Sequence, residues 1–454
     1  MVATQSTRIE DLKSRWQKLD SDAKEIVVAD NFIRPFLEVL GFDQYSEIYP
    51  QFPTGRNNAM VDFAARKNTQ NDQFITTKKA PHLILEVKGR NVNISEGKAP
   101  YRDLVNQLKR YLLDPNCKTV KWGIISNGDH IQLFRKHEKV IYPASPCIKI
   151  TQDNLEGIIT LFKQRISRLI PALTVAIYNN KGGVGKTTTT VNLAGTLTRL
   201  GKKVLVIDFD FQQRDLTTSL GLSCNQETLF EVLKEPRNSI QKTIVKFSQI
   251  FQTKTGEQKS LSFDVIPASD NKNSISESEI ELRKYCNLRT LSKVLEPLRF
   301  QYHYILIDTP PNKNFFSESG IYAANVVLIP AKHNNLFSLK NAAVAITQFI
   351  PEIQQQKKQG NPIALPIFFN GETMTEAQKK QANEAINLLI KNTKNQNKFD
   401  LEPYFYPHSK NSKITAICNH AIIAKAPFVN KPAVYIHKTI FESYSAFARE
   451  YFLQ

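Results

Sequence analysis

Cysteine is scarce in this chain of 454 residues, with five copies at positions 117, 147, 224, 286 and 418. Their number is odd and no two form a Cys-x-x-Cys pair, which argues against a disulfide framework and a zinc site. Apolar runs of the roughly 18 residues that a membrane span needs are also missing. Residues 1–13 are polar and lack the apolar segment of a signal peptide. We therefore expect a cytoplasmic protein with reduced thiols.

Acidic residues are outnumbered, because 42 Asp and Glu stand against 60 Lys and Arg, for a formal net charge of +18. The excess occurs in both halves of the chain, so a basic tail alone does not explain it. It predicts a polyanionic partner, with nucleic acid favoured over an anionic membrane and contacts mainly to the DNA backbone. A generally basic protein without such a partner is the alternative.

The chain is too long for one ordinary core, and its pattern changes near residue 170. We predict a first domain over 1–150, a connecting helix or linker over 151–172 and a second domain over 173–454. In the second domain, strand-like runs alternate with helical segments, which predicts a doubly wound, mostly parallel α/β sheet. The predicted strands are 173–178, 203–208, 263–267, 304–308, 326–330, 363–369 and, as a further candidate, 404–406. The polar stretches 236–262 and 391–400 are predicted to be surface insertions.

The first domain is predicted to run helix, strands, helix, strands. Apolar residues recur at helical spacing over 23–40 and stop at Gly41. Two short strands, a second helix, a hairpin and a connecting helix are expected next, over 61–65, 82–87, 103–113, 122–134 and 155–169.

A glycine-rich motif follows the predicted strand 173–178. It is a variant of the phosphate loop Gly-x-x-x-x-Gly-Lys-Thr, with Asn180 at the first glycine position. Its glycines let backbone N–H groups turn towards phosphate oxygens, and the helix predicted over 186–200 aims its positive end at them. Lys186 would contact the β/γ-phosphates, and the Thr187 hydroxyl would ligate Mg²⁺. The expected nucleotide-binding residues are Lys181, Gly182, Gly183, Val184, Gly185, Lys186, Thr187 and Thr188.

The segment 181–188, Lys-Gly-Gly-Val-Gly-Lys-Thr-Thr, resembles the deviant Walker A loop of ParA/MinD-type ATPases. Residues 204–212 resemble the next strand and switch of that family, with Phe211 where proline is usual. Residues 304–311 resemble its Walker B strand, and 263–269 and 326–330 match two further strands. The resemblance covers about residues 173–454 and implies an enzyme that binds and hydrolyses ATP with Mg²⁺.

The same resemblance implies roles for single residues. Lys181 would reach across a homodimer to the ATP of the partner copy, so that ATP binding controls dimerisation. Asp308 would hold Mg²⁺, Asp208 would lie near the metal, and Asp210 would position the attacking water. Family members contact adenine at the positions of Asn370 and Pro407.

ParA-like members bind DNA nonspecifically as ATP dimers, whereas MinD-like members bind membrane through a C-terminal amphipathic helix. The tail over 440–454 has no cationic face, so membrane binding is disfavoured. A nucleoid- or plasmid-associated location and a partition-type partner protein would follow. The candidate phosphate contacts are Lys410, Lys413, Lys425 and Lys431.

Two carboxylates and a lysine form a second candidate site, in the first domain. Glu86 and Lys88 end an apolar run and point to one face of a strand, and Asp62 lies on an earlier strand. Asp62 and Glu86 could ligate Mg²⁺ or Mn²⁺ at a phosphate, while Lys88 orients or deprotonates a water. Alone, Glu-x-Lys carries little information, because an exposed strand with an ion pair shows it as well.

Residues 22–137 resemble the N-terminal nuclease domain of type I restriction enzyme motor subunits, a restriction-endonuclease-like PD-(D/E)xK fold. The matching segments are 32–41, 61–62, 85–88, 107–111 and 122–128. The resemblance implies a metal-dependent DNA endonuclease and adds Gln107 and Tyr111, whose helix often contacts the active site or DNA. It also implies an acid on the first helix, for which Glu25 and Asp30 are both candidates.

Three classes of function stay open. The first is an ATP-dependent, dimerising, DNA-binding ATPase with a fused endonuclease that acts against foreign DNA. The second is a plasmid or chromosome partition ATPase whose first domain only binds DNA or a partner. The third is a small-molecule P-loop enzyme of the cobyrinate synthetase or nitrogenase reductase kind, which the lack of a cluster-binding cysteine pair disfavours.

Overall fold

The computed structural model describes residues 2–454 except 169–170, 226, 236, 238, 253–256, 270–274, 372–373, 398, 408–415 and 418. Two compact units divide the chain. The first consists of Met1–Leu169 with the short segments Lys358–Asn361 and Phe452–Gln454, and the second of Ile170–Lys357 and Pro362–Tyr451.

The first unit is built on a mixed sheet in the order β1-β2-β3-β4-β5-β6, with β7 pairing with β5. Its strands are β1 Ile48–Pro53, β2 Met60–Ala65, β3 Leu83–Val87, β4 Trp122–Ser126, β5 His130–His137, β6 Val140–Pro143 and β7 Ile148–Lys149. Only β3 and β4 run parallel among these pairs, and the others are antiparallel. The predicted strands and the β4–β5 hairpin are confirmed.

Helices cover both faces of this sheet. They are Val2–Gln17, Glu25–Val28 continuing through a π-turn Ala29–Ile33 into Arg34–Val39, Phe74–Thr77, Ala99–Leu113 and Leu155–Ser167, with a 3-10 turn at Pro115–Cys117. Successive strand residues alternate between two buried clusters, one containing Leu85 and Val87 and the other Ile84. Helix Leu155–Ser167, expected to be a connector, buries Ile158 and Phe162 in the first of these clusters.

The second unit carries an eight-stranded sheet in the order β10-β11-β9-β12-β8-β13-β14-β15. Its strands are β8 Leu173–Ile177, β9 Val204–Asp208, β10 Val245–Gln252, β11 Gln258–Ile266, β12 Tyr304–Asp308, β13 Val326–Ala331, β14 Ile363–Asn370 and β15 Ala416–Ile417. Every pair is parallel except β10 with β11. The mostly parallel α/β sheet is therefore confirmed.

Seventeen helical segments accompany the sheet in the described part of this unit. The α-helices are Lys186–Arg199, Asp215–Ser219, Leu229–Lys234, Ile275–Tyr285, Arg289–Val294, Phe315–Ala323, Leu336–Val344, Ile350–Lys357, Glu376–Asn397, Glu402–Phe405, Ala421–Lys425, Ala433–Ile436 and Lys438–Tyr451. The 3-10 and π segments are Ile240–Thr243, Pro297–Phe300, Ala345–Phe349 and Ala426–Val429. The last long helix packs on the sheet, because the Phe447 ring lies 4.7 Å from that of Phe368 in β14.

Three local predictions are wrong. The stretch 236–262 is not a simple insertion, because it forms β10 and the first half of β11, with the rings of Phe247 and Phe263 4.9 Å apart. Residues 391–397 end the long helix Glu376–Asn397, whose polar residues form its solvated face. The candidate strand 404–406 falls in helix Glu402–Phe405, which begins with a proline at its first turn and buries Phe405.

No helix in the described ranges combines the length and the hydropathy that crossing a membrane requires.

Candidate functional site

The loop between β8 and helix Lys186–Arg199 has the backbone geometry of a phosphate-binding turn. Gly183 and Gly185 adopt φ angles of +71° and +87°, which side chains other than hydrogen rarely tolerate. A Cβ at Gly185 would lie 2.5 Å from the Asn370 side-chain nitrogen. Asn370 Nδ2 donates a hydrogen bond of 2.6 Å to the carbonyl oxygen of Val184. Asn370, at the end of β14, therefore braces the loop from outside.

Lys186 is the first residue of the helix, and only 7% of its surface is exposed. Its Nζ atom donates to the carbonyl oxygens of Asn179 and Lys181, both at 3.3 Å. Burial lowers the pKa of Lys186, although Asp308 and Asp210 favour its charged form. The ammonium group is thus curled inside the loop, next to the free N–H groups of the helix start.

Asn179 is a residue that the motif did not single out. It is fully buried, its Nδ2 atom donates to the carbonyl oxygen of Pro330 at 2.8 Å, and its Oδ1 atom accepts from the N–H of Lys181 at 2.9 Å. These bonds tie the loop to β13, so the exposed side chain of Lys181 leaves from a fixed backbone position.

Two buried aspartates end neighbouring parallel strands, since Asp208 of β9 pairs in register with Asp308 of β12. Asp308 accepts from the Thr187 hydroxyl at 2.7 Å and from the Thr190 hydroxyl at 3.2 Å. Burial, with the nearby charge of Asp208, raises the pKa of Asp308 to about 8. A cation at this position would relieve the cost of ionising Asp308.

Asp208, at the end of β9, and Asp210, in the switch segment that follows, are both held by hydrogen bonds from the residues after them. Asp208 accepts from the N–H and the hydroxyl of Thr217, at 2.9 and 2.6 Å, and burial raises its pKa to about 6. Asp210 accepts from the N–H of Gln213 at 3.1 Å, and burial raises its pKa as well. Phe211, where proline is usual, is buried against Phe209, Phe230 and Phe316, so an aromatic cluster fixes this segment instead.

The donor set suits Mg²⁺. A hydroxyl oxygen of Thr187 and a carboxylate of Asp308 already meet at hydrogen-bond distance, and both are hard oxygen ligands. Within the described ranges, no three His, Cys, Asp or Glu side chains gather in a way that could hold a metal. Mg²⁺ does not need such a cage, because it is commonly held by one or two protein oxygens together with waters and substrate phosphates.

Two cavities open beside the loop. One of about 150 Å³ is lined by Gly183, Val184, Gly185, Thr188, Lys332, Asn370 and further residues of β15 and the C-terminal helices. Another of about 390 Å³ is lined by Thr187, Thr188, Asp215, Phe428, Lys431 and neighbours. Gly182 is exposed at the loop tip. Pro407 lines neither cavity, Lys425 is exposed on a short helix, and Lys410 and Lys413 lie outside the described residues.

In the first unit, the structure brings the acid and lysine set together. Asp62 directly precedes Phe63 in β2, and Glu86 directly follows Leu85 in the antiparallel strand β3, where Phe63 and Leu85 are a register pair. Asp62 Oδ2 accepts from the N–H of Val87 at 2.7 Å, and Lys88 Nζ lies 3.5 Å from Glu86 Oε1. Asp62, Glu86 and Lys88 therefore form one cluster where the register pairs of β2 and β3 end.

Three more residues contact this set. Gln107 Nε2 donates to Glu86 Oε1 at 2.6 Å and to the hydroxyl of Tyr111 at 3.1 Å. Lys88 Nζ donates to Glu25 Oε2 at 3.1 Å, whereas Asp30 pairs with Arg34 at 3.5 Å. The sequence left two acids, Glu25 and Asp30, as candidates for the helical acid of this site. Glu25 is the one that contacts the cluster.

Glu86 is the electrostatic centre of the cluster. It is 3% exposed, and its Oε2 atom is buried without a hydrogen-bond partner in the described part of the chain. Burial and the charge of Asp62 raise the pKa of Glu86 to about 8, and burial raises that of Asp62. For Lys88, burial lowers the pKa, but Glu86 and Glu25 outweigh it and the net shift is upward. An unpartnered carboxylate oxygen beside a second carboxylate fits a divalent cation.

The fold and the loop define a P-loop nucleotide-binding protein, and comparisons with known proteins agree. A family described as an AAA domain matches residues 172–363. The chromosome-partitioning ATPase Soj of Treponema pallidum is 32% identical over 216 residues, which are 47% of this chain and 76% of that protein. The chain belongs to this ParA/Soj family through its second unit, and the ParA/MinD resemblance is confirmed.

Other relatives are matched over less of their length. The sporulation initiation inhibitor protein Soj of Bacillus subtilis is 34% identical over 161 residues, 35% of this chain and 57% of that protein. The chain spans only 54% to 57% of the first curated relatives it matches. Apo McdA from Cyanothece is 20% identical, with 62% of this chain and 98% of that chain covered at a TM-score of 0.45.

Proposed function

We propose that the second unit binds and hydrolyses ATP with Mg²⁺. The observation that carries this proposal is the buried Lys186 ammonium inside a loop whose next side chain, Thr187, is bonded to the buried Asp308. Lys186 holds the β/γ-phosphates, and Thr187 with Asp308 holds the metal beside Asp208. When bound, Mg²⁺ supplies positive charge that neutralises the phosphates. Asp210 positions the attacking water from the switch segment.

We further propose that ATP is shared between two copies of the chain. Lys181 supports this, because its backbone is fixed by Asn179 while its side chain is exposed, in contrast to the buried side chain of Lys186. An exposed cation at this point can neutralise phosphates bound to a second copy. Asn370 contributes to the nucleotide pocket by holding the loop in place, and Pro407 is the second proposed adenine contact.

For the first unit we propose a metal-dependent DNA endonuclease of PD-(D/E)xK type. Asp62 and Glu86 hold Mg²⁺ or Mn²⁺, whose bound form polarises a phosphodiester and lowers the pKa of a water. Lys88 orients that water as an ammonium group, which Glu25 keeps in place, and its charge stabilises the negative charge that develops on the phosphate. The raised pKa of Lys88 keeps it protonated, which disfavours its predicted role as the group that takes the proton. Gln107 fixes the Glu86 carboxylate through its 2.6 Å hydrogen bond.

The whole chain, in this proposal, is an ATP-dependent DNA-binding dimer that brings two nuclease units to one DNA and acts against foreign DNA. The nuclease function belongs to the first unit and the ATPase function to the second, which lie close to the predicted domains 1–150 and 173–454. The predicted linker 151–172 contributes helix Leu155–Ser167 to the core of the first unit. Two single-strand cuts, one from each copy, would give a double-strand break. The net charge of +18 favours contacts to the DNA backbone.

Plasmid cleavage tests this proposal. Supercoiled plasmid is incubated with the full chain and Mg²⁺ or Mn²⁺, with and without ATP, and nicked and linear products are counted. We expect metal-dependent cleavage by the wild type and a loss of roughly 100-fold or more in Lys88→Ala, because a positioned charge at the reacting phosphate contributes about that much. Lys98→Ala, which removes an exposed lysine of the same unit, should cleave as the wild type does. Equal cleavage by both variants would reject the nuclease assignment.

A partition ATPase is the second candidate, supported by the names of the matched relatives, among them a chromosome-partitioning ATPase. In that case the first unit only binds DNA or a partner protein. The plasmid assay separates the two candidates, because a partition ATPase retains ATP-dependent DNA binding in the wild type and in Lys88→Ala while neither cuts. Its DNA affinity should fall steeply with salt, since backbone contacts release counterions.

A further inference from the structure

A cavity in the first unit has no role in the proposals above. It measures about 370 Å³ and lies between the loop that joins β1 to β2 and the C-terminal end of helix Ala99–Leu113. Its volume is in the range of small-molecule sites. The lining residues are Arg56, Asn57, Ala59, Arg110, Tyr111, Leu113 and Asp114.

The β1–β2 loop on one side of this cavity is fastened in place. The buried carboxylate of Asp114 accepts from the Thr54 hydroxyl at 2.7 Å with one oxygen and pairs with Arg56 Nε at 2.8 Å with the other. Asn116 Nδ2 donates to the carbonyl oxygen of Pro53 at 2.9 Å, and the Asn116 N–H donates to the carbonyl oxygen of Thr54 at 3.0 Å. The loop is therefore held in one conformation before any ligand binds, which lowers the entropic cost of binding.

The two guanidinium groups point to an anionic ligand. Asp114 uses only the Nε edge of Arg56, whose side chain is 66% exposed, so the terminal nitrogens can face the cavity. Arg110 is exposed on the opposite wall. Both oxygens of Asp114 are already bonded, which leaves the arginines as the charged groups available to a ligand. Guanidinium forks match the oxygens of a phosphate, and the Tyr111 ring beside them offers a face for a sugar or base.

Hydrogen bonds link a residue of the cavity to the carboxylate cluster. Tyr111, which lines the cavity, accepts with its hydroxyl from Gln107 Nε2, and the same nitrogen donates to Glu86. Arg110 follows Gln107 by three residues, which is about 4.5 Å along a helix axis. A strand whose phosphate lies at the carboxylates can thus place a neighbouring phosphate at the arginines.

We propose that this cavity binds a phosphodiester of a nucleic-acid strand next to the phosphate held at Asp62 and Glu86. Arg56 and Arg110 contact the phosphate oxygens, and Asp114 is a positioning residue that orients Arg56. The inference rests on the proposed nuclease function of the first unit and adds the contact that sets where a strand lies across it.

DNA binding by the full chain tests the inference. A fluorescently labelled 20-nucleotide single strand and the duplex of the same sequence are titrated by anisotropy without ATP and with EDTA, so that neither cleavage nor ATP-dependent dimers contribute. We compare Arg56→Gln/Arg110→Gln with Lys98→Gln/Arg102→Gln, which removes two exposed charges at the start of the same helix. We expect the first variant to bind DNA at least about tenfold more weakly than the wild type. The slope of its log affinity against log salt concentration should be lower by about 1 to 2, and the affinity of the control should change by less than about twofold.

Equal affinities and salt slopes in the two double variants would overturn the inference. Displacement of the DNA by inorganic phosphate at a concentration close to that of the DNA would also overturn it, because the cavity would then bind a free anion as well as it binds a strand. Arg56→Lys/Arg110→Lys keeps the charge and loses the fork, and an intermediate affinity is expected. This second variant decides the matter if the glutamine variant unfolds in a thermal melt.

Cleavage assays on the same proteins separate this inference from the proposed function. A weakened double variant together with a wild type that never cleaves would support the phosphate site and reject the nuclease. A wild type that cleaves, together with a double variant of unchanged affinity and cleavage position, would support the nuclease and reject the site.

Discussion

The two units each place a buried acid near the end of a central strand, beside a lysine, and do so by different routes. In the second unit Asp308 ends β12 and accepts hydrogen bonds from two threonine hydroxyls of the helix that follows the loop. In the first unit Glu86 lies in β3 and keeps one oxygen without a hydrogen-bond partner among the described residues. Burial raises the pKa of both acids to about 8.

The comparison teaches that similar electrostatics arise from a contiguous and from a dispersed set of residues. Lys186 and Thr187 are sequence neighbours, and one turn positions both of them. Glu25, Asp62, Glu86 and Gln107 come from two helices and two strands, so only the tertiary fold brings them together. The contiguous site is the one that sequence motifs describe well.

The largest expected effect is the loss of ATP binding on replacing Lys186, and it tests the contiguous site of this comparison. Lys186→Ala should weaken equilibrium binding of a fluorescent ATP analogue roughly 100-fold or more, because a desolvated charged contact to phosphate is lost. Lys293→Ala, which removes an exposed lysine of helix Arg289–Val294, is the control and should bind as the wild type does. ATP affinity retained in Lys186→Ala would contradict the assignment of the loop.

A smaller effect sharpens the difference between the two lysines of the loop. Lys181→Ala should bind ATP within about threefold of the wild type, because its side chain is exposed and lies outside its own loop. Dimers formed with a non-hydrolysable ATP analogue should be lost, as light scattering can measure. The same variant without nucleotide serves as the monomer reference. A dimer of normal mass would show that Lys181 does not act between copies.

The effect that is smallest per pH unit concerns stability in the first unit. The folded-state pKa of Glu86 is raised from 4.5 to about 8, so between these values the folded chain binds more protons than the unfolded chain. Without metal, the free energy of unfolding should therefore fall as pH rises through this window, by at most about 1.4 kcal/mol per pH unit.

Glu86→Gln should remove this pH dependence and raise the melting temperature of the metal-free protein near pH 8, since the amide oxygen can still accept from Gln107. Glu156→Gln replaces an exposed acid of the first unit and serves as the comparison variant. If the melting temperatures of the wild type and of Glu86→Gln change with pH in the same way from pH 5 to 8, the raised pKa of Glu86 is contradicted.

Much of the second unit could be predicted from sequence because its signals are local. The positions of most strands along the chain, and the loop, follow from apolar runs, glycines and a lysine in fixed spacing. The hydrogen bond by which Asn179 ties the loop to β13 could not be predicted, since its partner Pro330 is 151 residues away. β10 was missed because its composition is polar, although Val245 and Phe247 alternate with polar residues as a half-buried strand requires.

The first unit shows where sequence reasoning ends. Glu25 and Asp30 both lie on the helical segment before Gly41, and no local property distinguishes them. Only the fold brings Glu25 to Lys88 and pairs Asp30 with Arg34. The π-turn at Ala29–Ile33 adds to the difficulty, because it shifts the helical face on which each acid lies.

The most direct test of two separate phosphate chemistries in one chain measures ATP hydrolysis and plasmid cleavage on the same samples of wild type, Lys88→Ala and Lys186→Ala. We predict that Lys88→Ala hydrolyses ATP normally and does not cut, and that Lys186→Ala loses hydrolysis together with any stimulation of cutting by ATP. Lys88→Ala cutting at the wild-type rate would contradict the central claim.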